Sequence, residues 1–426
     1  MRTDAVYAAE LDRADPLAAF RDRFYVSPGQ YYFDGNSLGL LSRDAEAAVL
    51  RALAEWRDLA IGGWLGAAPP WYYLGEALAE LTAPLIGATA DEVAITGTTT
   101  VNLHNLVATF YRPVGRRRKI VATALDFPSD LYALRSQLAL RGADPDADLV
   151  LVPSRDGRTI ATAEVIAALD ETVALLLLPS VLYRSGQLFD TAALTAAAHA
   201  RGALAGWDCC HSIGAVPHQF DAWDVDFACW CGYKYLNDGP GGTAGLYVNR
   251  RHFGLAPGLA GWWGSDKARQ FDMSPDFDRA PNAGAWQIST VPVLSTAALQ
   301  GTLQIFAEAG IAAVRAKSLR LTGYLMDLLD ATGLTAPPYN YTIGTPRAPE
   351  ERGGHVAVEH AEGARIARAL KARGVVPDFR PPNVIRLAPV ALYTSFADVW
   401  QVIQQLRAIL DNREHEAYPV GRDVVA

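Results

Sequence analysis

Four places in this chain combine residue types that can do chemistry, and each follows a short run of β-prone residues. After residues 92–96 comes Gly97-Thr98-Thr99-Thr100-Val101-Asn102, where small and hydroxyl residues open a helix. Such a start presents free backbone N–H groups, and the threonines add donors, so it can cradle a phosphate. It also reads as ordinary N-capping by threonine. After residues 119–124 comes Asp126-Phe127-Pro128-Ser129-Asp130, an aromatic that can stack on a flat ring, or a helix cap built on Ser129. After residues 203–207 comes Asp208-Cys209-Cys210-His211. A carboxylate at the end of an apolar strand is partly desolvated and needs a partner. A pyridinium N–H would serve, and so would the amides of the next turn. After residues 225–230 comes Cys231-Gly232-Tyr233-Lys234-Tyr235. Lys234 follows a nearly uncharged run, so a lowered pKa is expected, and a lysine of that kind can form a Schiff base.

Taken together and in this order, the four places are the parts needed to hold pyridoxal 5'-phosphate. Lysine takes the aldehyde, an acid faces the ring nitrogen, an aromatic covers the ring and a helix start holds the phosphate. The first place lacks the Gly-Lys-Ser/Thr of a P-loop and the Gly-x-Gly-x-x-Gly of a dinucleotide site, which argues against nucleotides. A zinc reading of Cys209, Cys210, Cys229, Cys231 and His211 fits poorly, because adjacent and alternating cysteines are not the spaced pairs of zinc sites. Buried small hydrophobes is the better reading of these thiols.

The elements that must position these residues follow from the alternation along residues 91–248. Strands are predicted at 92–96, 119–124, 148–153, 172–178, 203–207, 225–230 and 245–248. Helices are predicted at 100–111, 129–140, 161–169 and 191–200. This is the signature of a mostly parallel, seven-stranded sheet with helices on both faces. The uninterrupted Val173–Leu178 run suits a strand buried on both sides. Residues 252–292 are irregular and rich in Gly, Pro and Trp. Two helices follow, and after Ala336-Pro337-Pro338 comes a smaller α+β texture ending in a helix at 395–411. The expected organisation is an N-terminal segment, 1–60, packing with the small domain, a large α/β domain, 61–310, and the small C-terminal domain, 311–426.

Composition limits the partners. The chain has 426 residues, half of them apolar, a fifth charged, with net charge −8 and four cysteines. A negative balance argues against nucleic acid held by bulk electrostatics, and the Arg116-Arg117-Arg118-Lys119 run reads as a solvated loop. No apolar run is long enough to span a membrane, the acidic start is not a signal peptide, and four cysteines make no disulfide scaffold. A cytoplasmic protein is expected.

From Tyr32 to the last helix the chain resembles the kynureninases, fold-type-I pyridoxal-phosphate enzymes. The matching stretches are Asp34-Gly35-Asn36-Ser37-Leu38-Gly39-Leu40, Thr100–His104, Phe127–Asp130, Trp207-Asp208 with His211, Val225–Cys231 with Tyr233–Asn237, Gly261–Gly264 and Ile385–Pro389. The resemblance implies hydrolytic Cβ–Cγ cleavage of L-kynurenine, or also of 3-hydroxy-L-kynurenine, giving anthranilate and L-alanine in tryptophan degradation. It implies Lys234 as the cofactor lysine, Asp208 on the pyridine nitrogen, Phe127 on the ring and Tyr233 as proton carrier. Thr99, Thr100, Pro128, Ser129, Asp130 and His211 would surround the cofactor. Arg386 would clamp the α-carboxylate, Ser37 and Trp64 would line the aryl end, and a homodimer partner would bring its Trp262 and Thr290. Trp64 and Thr290 stand where animal-type members carry His and Asn, which implies a preference for unhydroxylated kynurenine. Trp263, Ser265 and Thr99 depart from the family's usual residues. The alternative is another fold-type-I lyase or an aminotransferase. A desulfurase would need a mobile-loop cysteine, whereas all four cysteines here lie on or beside core strands.

Overall fold

In the computed structural model, which describes residues 2–421, the apolar runs become strands because only a sheet interior buries both their faces. After a two-residue strand β1 (Tyr31–Tyr32) come β2 (Val93–Ile95), β3 (Lys119–Thr123), β4 (Leu149–Val152), β5 (Val173–Pro179), β6 (Leu204–Asp208), β7 (Phe227–Trp230) and β8 (Gly245–Val248). All seven residues of β5 are buried. β2 to β8 form one sheet in the order β2-β8-β7-β6-β5-β3-β4. Only β8 runs against its neighbours, β2 and β7, and every other pair is parallel. A mostly parallel seven-stranded sheet is therefore what forms. Two predicted strands extend one residue further, to Pro179 and Asp208, and those two residues pair across the ladder.

Apolar side chains fill both faces of this sheet. One core runs from Leu78 and Ile95 through Leu176, Trp207 and Trp230 to Tyr393. The other gathers Leu103, Phe110, Ile120, Leu134, Phe227 and Trp286. The helix Arg43–Leu59 packs along Val293–Ala309. Their approach is close because Gly301 has no side chain: a Cβ there would lie 2.3 Å from the Asp44 carbonyl oxygen.

The C-terminal region folds around a third core that includes Leu325, Val358, Ile385 and Ile403. Its sheet contains β9 (Thr342–Ile343), β10 (Val356–Glu359), β12 (Asp378–Arg380) and β13 (Val384–Leu387), all antiparallel. Between them β11 (Val375–Val376) pairs with β1 in parallel. The N-terminal helix Ala5–Arg13 packs on Phe396–Asp411. Asp12 accepts from the Phe396 and Ala397 amides, satisfying free donors at that helix start. Among the described residues no single helix is long and apolar enough to cross a membrane.

The segment between β1 and Arg43 joins the two domains. Gly39 N–H donates to the Tyr233 carbonyl at 2.8 Å. A Cβ on Gly39 would come 2.5 Å from the Lys234 carbonyl oxygen, and one on Gly35 would collide with the Tyr393 hydroxyl. The segment is thus threaded between the Lys234 loop and residues 390–393, and only glycine permits that spacing.

Candidate active site

The carboxyl ends of parallel strands are where open α/β sheets hold ligands, and here they open into one cavity. Its walls include Thr99, Thr100, Phe127, Ser129, Asp130, Asp208, His211, Tyr233 and Lys234. The sequence singled out all nine. Thr99 and Ser129 lie in the first turns of the helices Thr99–Phe110 and Pro128–Leu140, neither of which has a side-chain N-cap bond. Two sets of free amides therefore face the cavity. The Thr100 and Ser129 hydroxyls, 2.8 Å apart, tie the two helix starts together. Pro128 is the first residue of the second helix, a position where the missing N–H costs nothing.

Asp208 ends β6, with Oδ1 accepting from the Cys210 amide at 2.8 Å. Asp130 stands beside it, and its Oδ2 is buried without a partner. Burial, and then the nearby Asp208 and Asp126, push the Asp130 carboxyl well above the ordinary range. Like carboxyls crowded at one site do not all ionise.

The Lys234 ammonium donates to His211 Nε2 at 3.0 Å and lies 5.9 Å from the Phe127 ring centroid. Burial pulls this lysine down, but Cys231, Cys210, Tyr233 and Asp208 around it outweigh burial, and its pKa is raised. The lowered value expected from the uncharged sequence run is corrected here. The strand is apolar, but Cys231 and Tyr233 of the lysine's own loop and Cys210 and Asp208 at the end of β6 surround the ammonium. His211 is driven the other way, well below its ordinary value, by burial and then by Lys234. It is the neutral acceptor of that bond. Burial pushes the Tyr233 phenol up to about 12, so it keeps its proton.

Arg386, on β13, is fully buried. Its Nε donates to Asp378, Nη1 donates to the Tyr183 carbonyl at 2.6 Å, and Nη2 donates to Ser37 Oγ at 3.0 Å. Ser37 thus lies on the guanidinium. Trp64 lies elsewhere, in an aromatic cluster with Trp71 and Trp263 at 5.9 and 5.7 Å. Trp262 and Thr290 are exposed, and neither lines the cavity. Within one chain these three are not brought to Lys234.

Tyr183 was not singled out by the sequence, yet it lines the cavity and meets Phe127 edge-on at 5.2 Å. A signal existed: Tyr183 follows β5, and the carboxyl end of that strand deserved the same reading as the other four. Pro179, Val181 and Cys210 complete the wall.

These residues fit pyridoxal phosphate. Two helix starts offer N–H groups to an anion, and Phe127 keeps 41% of its surface exposed, on the cavity wall, for a flat ring. The Asp208 side chain can pair with a pyridinium N–H, and Lys234 can take an aldehyde. The unpartnered Asp130 Oδ2 and His211 Nδ1 are buried polar atoms of the kind that otherwise carry a desolvation cost.

Comparison with known proteins agrees. Residues 314–406 match the family model described as the kynureninase C-terminal domain. The kynureninase of Bacillus mycoides is 54% identical over 420 residues, covering 99% of this chain and 97% of that one. Those of Geobacillus thermodenitrificans and Shouchella clausii are 53% and 52% identical over the same coverage. Among solved structures, a C-DES mutant with glycine covalently linked to the PLP cofactor superposes with a TM-score of 0.78 at 19% identity. It covers 91% of this chain and 98% of that one. Apo cysteine desulfurase from Thermococcus onnurineus gives 0.78 at 17%, covering 92% and 98%. At such identities these structures establish the fold, which is fold type I. The long relatives establish more: the chain belongs to the kynureninase family, pyridoxal-phosphate-dependent hydrolases that cleave a carbon–carbon bond.

Proposed function

We propose that this chain hydrolyses the Cβ–Cγ bond of L-kynurenine to anthranilate and L-alanine, in the kynurenine pathway of tryptophan catabolism. The observation that carries this reading is the meeting, in one cavity, of Lys234, His211, Asp208 and Phe127, with Ser37 and the buried Arg386 fork tied to Tyr183 on its wall. When bound, pyridoxal phosphate supplies an electron sink for charge developing on the substrate carbons. Lys234 anchors that group and then moves the substrate's Cα proton. Asp208 faces the ring nitrogen and holds it in its protonated form. Thr99, Thr100 and Ser129 hold the phosphate, and Phe127 covers the ring. Arg386 fixes the α-carboxylate. Tyr233, protonated at rest, gives its proton to the reacting carbonyl oxygen and regains one from the attacking water.

The active form on this reading is a homodimer in which Trp262 and Thr290 of the partner subunit close the aryl pocket. Support comes from large apolar side chains left in solvent: Trp56, Ile61, Leu65, Trp262, Phe271 and Met273 are 46–81% exposed. Large apolar side chains left in solvent in such number mark association sites. Trp64, which one chain does not bring to Lys234, would reach the aryl end only in the dimer, where an apolar wall favours unhydroxylated kynurenine. A cytoplasmic setting belongs to the same reading, since all four cysteines are free and buried.

The test is to mix purified, cofactor-loaded protein with L-kynurenine and follow substrate loss and anthranilate fluorescence, with Lys234→Ala in parallel. Turnover in the parent and none in the variant is expected. Cofactor absorbance without kynurenine loss would move the reading to another lyase or an aminotransferase.

A further inference from the structure

His355 immediately precedes β10 and is fully buried; the Arg184 backbone lies beside its ring, but neither ring nitrogen reaches a partner at full hydrogen-bond geometry. Its ring meets His211 edge-on, with centroids 6.0 Å apart and planes at 63°. Around it folds the turn that carries Tyr183: a Cβ on Gly186 would lie 2.9 Å from the His355 carbonyl and 3.2 Å from its Nε2. Gly353 N–H donates to the Gly186 carbonyl, and Thr345 donates to that of Ser185. The imidazole is therefore held in place between the two domains, against the residue that accepts from the Lys234 ammonium.

His211 Nε2 accepts from Lys234. A neutral imidazole that accepts at one nitrogen carries its hydrogen on the other, so His211 Nδ1–H is a buried donor, and it too has no protein partner. Two facing imidazoles whose nitrogens lack full hydrogen bonds offer the polar partners that an ordered water needs. The groups facing His355 are His211, Arg386, Lys234 and the Arg184 backbone, and those facing His211 include Arg380 as well. The charged ones are all cations. With burial first among the causes, they drive His355 down to about 3. Both rings stay neutral, each with a single hydrogen to place.

We propose that His355 is a positioning residue for this enzyme: through one bridging water it fixes His211 in the Nδ1–H tautomer, and so keeps Nε2 facing the Lys234 ammonium. This rests on Lys234 being the cofactor lysine. The two assignments fail separately. If the cofactor, fixed by reduction, maps to another lysine peptide, the first assignment falls and the tests below still stand.

The experiment uses the full-length protein, cofactor-free, as parent, His355→Phe and His355→Asn. The pH dependence of Lys234 reductive methylation is read by peptide mass spectrometry, with Lys371 as internal reference. Loss of a net hydrogen bond to the ammonium should lower the Lys234 midpoint in His355→Phe by roughly half a unit to one unit. That is about three- to ten-fold faster modification at fixed pH. His355→Asn, which can still bond a water, should retain the parent midpoint, and Lys371 should not move in any variant. An unchanged midpoint in His355→Phe overturns the proposal. Should that variant not fold, 15N chemical shifts of the parent's His211 decide. A single Nδ1–H tautomer is expected, and an Nε2–H tautomer or a mixture overturns it.

Discussion

Arg386 offers the sharpest test of how the site is built. A guanidinium has five N–H donors. Three are committed here, one from Nε to Asp378, one from Nη1 to Tyr183 and one from Nη2 to Ser37. One N–H remains on each Nη, the number that a carboxylate fork takes. In Arg386→Lys the charge is kept but the planar fork is lost, along with at least two of the three anchoring bonds. Two charge-assisted bonds to substrate at about 1.5–2 kcal/mol each amount to about 3–4 kcal/mol, or roughly a hundred- to a thousand-fold in kcat/KM. Stability should suffer less. Asp378 is fully buried but retains Arg380 at 2.9 Å, so no lone charge is left behind. The cost should fall below the usual 3–5 kcal/mol for a broken buried pair, near roughly 2 kcal/mol. The assay is kcat/KM for L-kynurenine on protein whose cofactor absorbance matches the parent's. Inhibition by the substrate's carboxamide serves as a control that should not distinguish the variants. A kcat/KM within about threefold of the parent, with cofactor bound, would refute the clamp and the donor counting behind it.

Further outcomes follow from other contacts. In Gly39→Ala the new methyl would lie 2.3 Å from Asn237 Oδ1 and 2.5 Å from the Lys234 carbonyl. Overpacking of this kind costs about 1–3 kcal/mol, and thermal denaturation should show the loss together with at least tenfold lower activity. Asp34 is raised to about 6, chiefly by burial. A raised carboxyl contributes stability below its unfolded pKa near 4 and loses it as pH rises through about 6. The stability difference between parent and Asp34→Asn should therefore shift by up to about 3 kcal/mol in favour of Asn between pH 4 and pH 7. A difference independent of pH, measured by urea denaturation, would contradict the burial of that charge. Trp56→Glu puts a charge among the exposed apolar side chains and should convert a dimer to monomers in sedimentation velocity, with parallel loss of activity. A stable, active dimer would move the interface elsewhere.

Much of the site was legible because its parts sit at strand ends. Asp208 and Lys234 stand out as polar residues terminating apolar runs, and Thr99 and Ser129 as small hydroxyl residues opening helices. Arg386 carries no such mark. It lies within β13, and only the family resemblance singled it out. Its role depends on Asp378 across the β12–β13 hairpin and on Tyr183 and Ser37, which are distant in sequence. The reversed direction of β8 was open to inference: residues 231–244 between β7 and β8 contain no helix to make a parallel crossover. The pairing of β1 with β11 was not, since two residues show no periodicity. The raised pKa of Lys234 was out of reach in part because Cys210 and Asp208 reach it from β6, though Cys231 and Tyr233 stand beside it in the sequence.

The threading of residues 34–40 between the domains also sets the order in which the protein can be made. Ser37 meets Arg386 across 349 residues of chain, so the earliest residues to be synthesised wait for nearly the last. The large sheet can assemble from neighbouring βα units, but the pocket closes only through contacts of the longest sequence separation, which are the slowest to form. Until the small domain emerges, the surfaces that receive this segment stand open to solvent, and misassembly at that stage is the hazard of large chains. Maturation of activity should therefore lag behind formation of the sheet during refolding, with cofactor capture marking the final step.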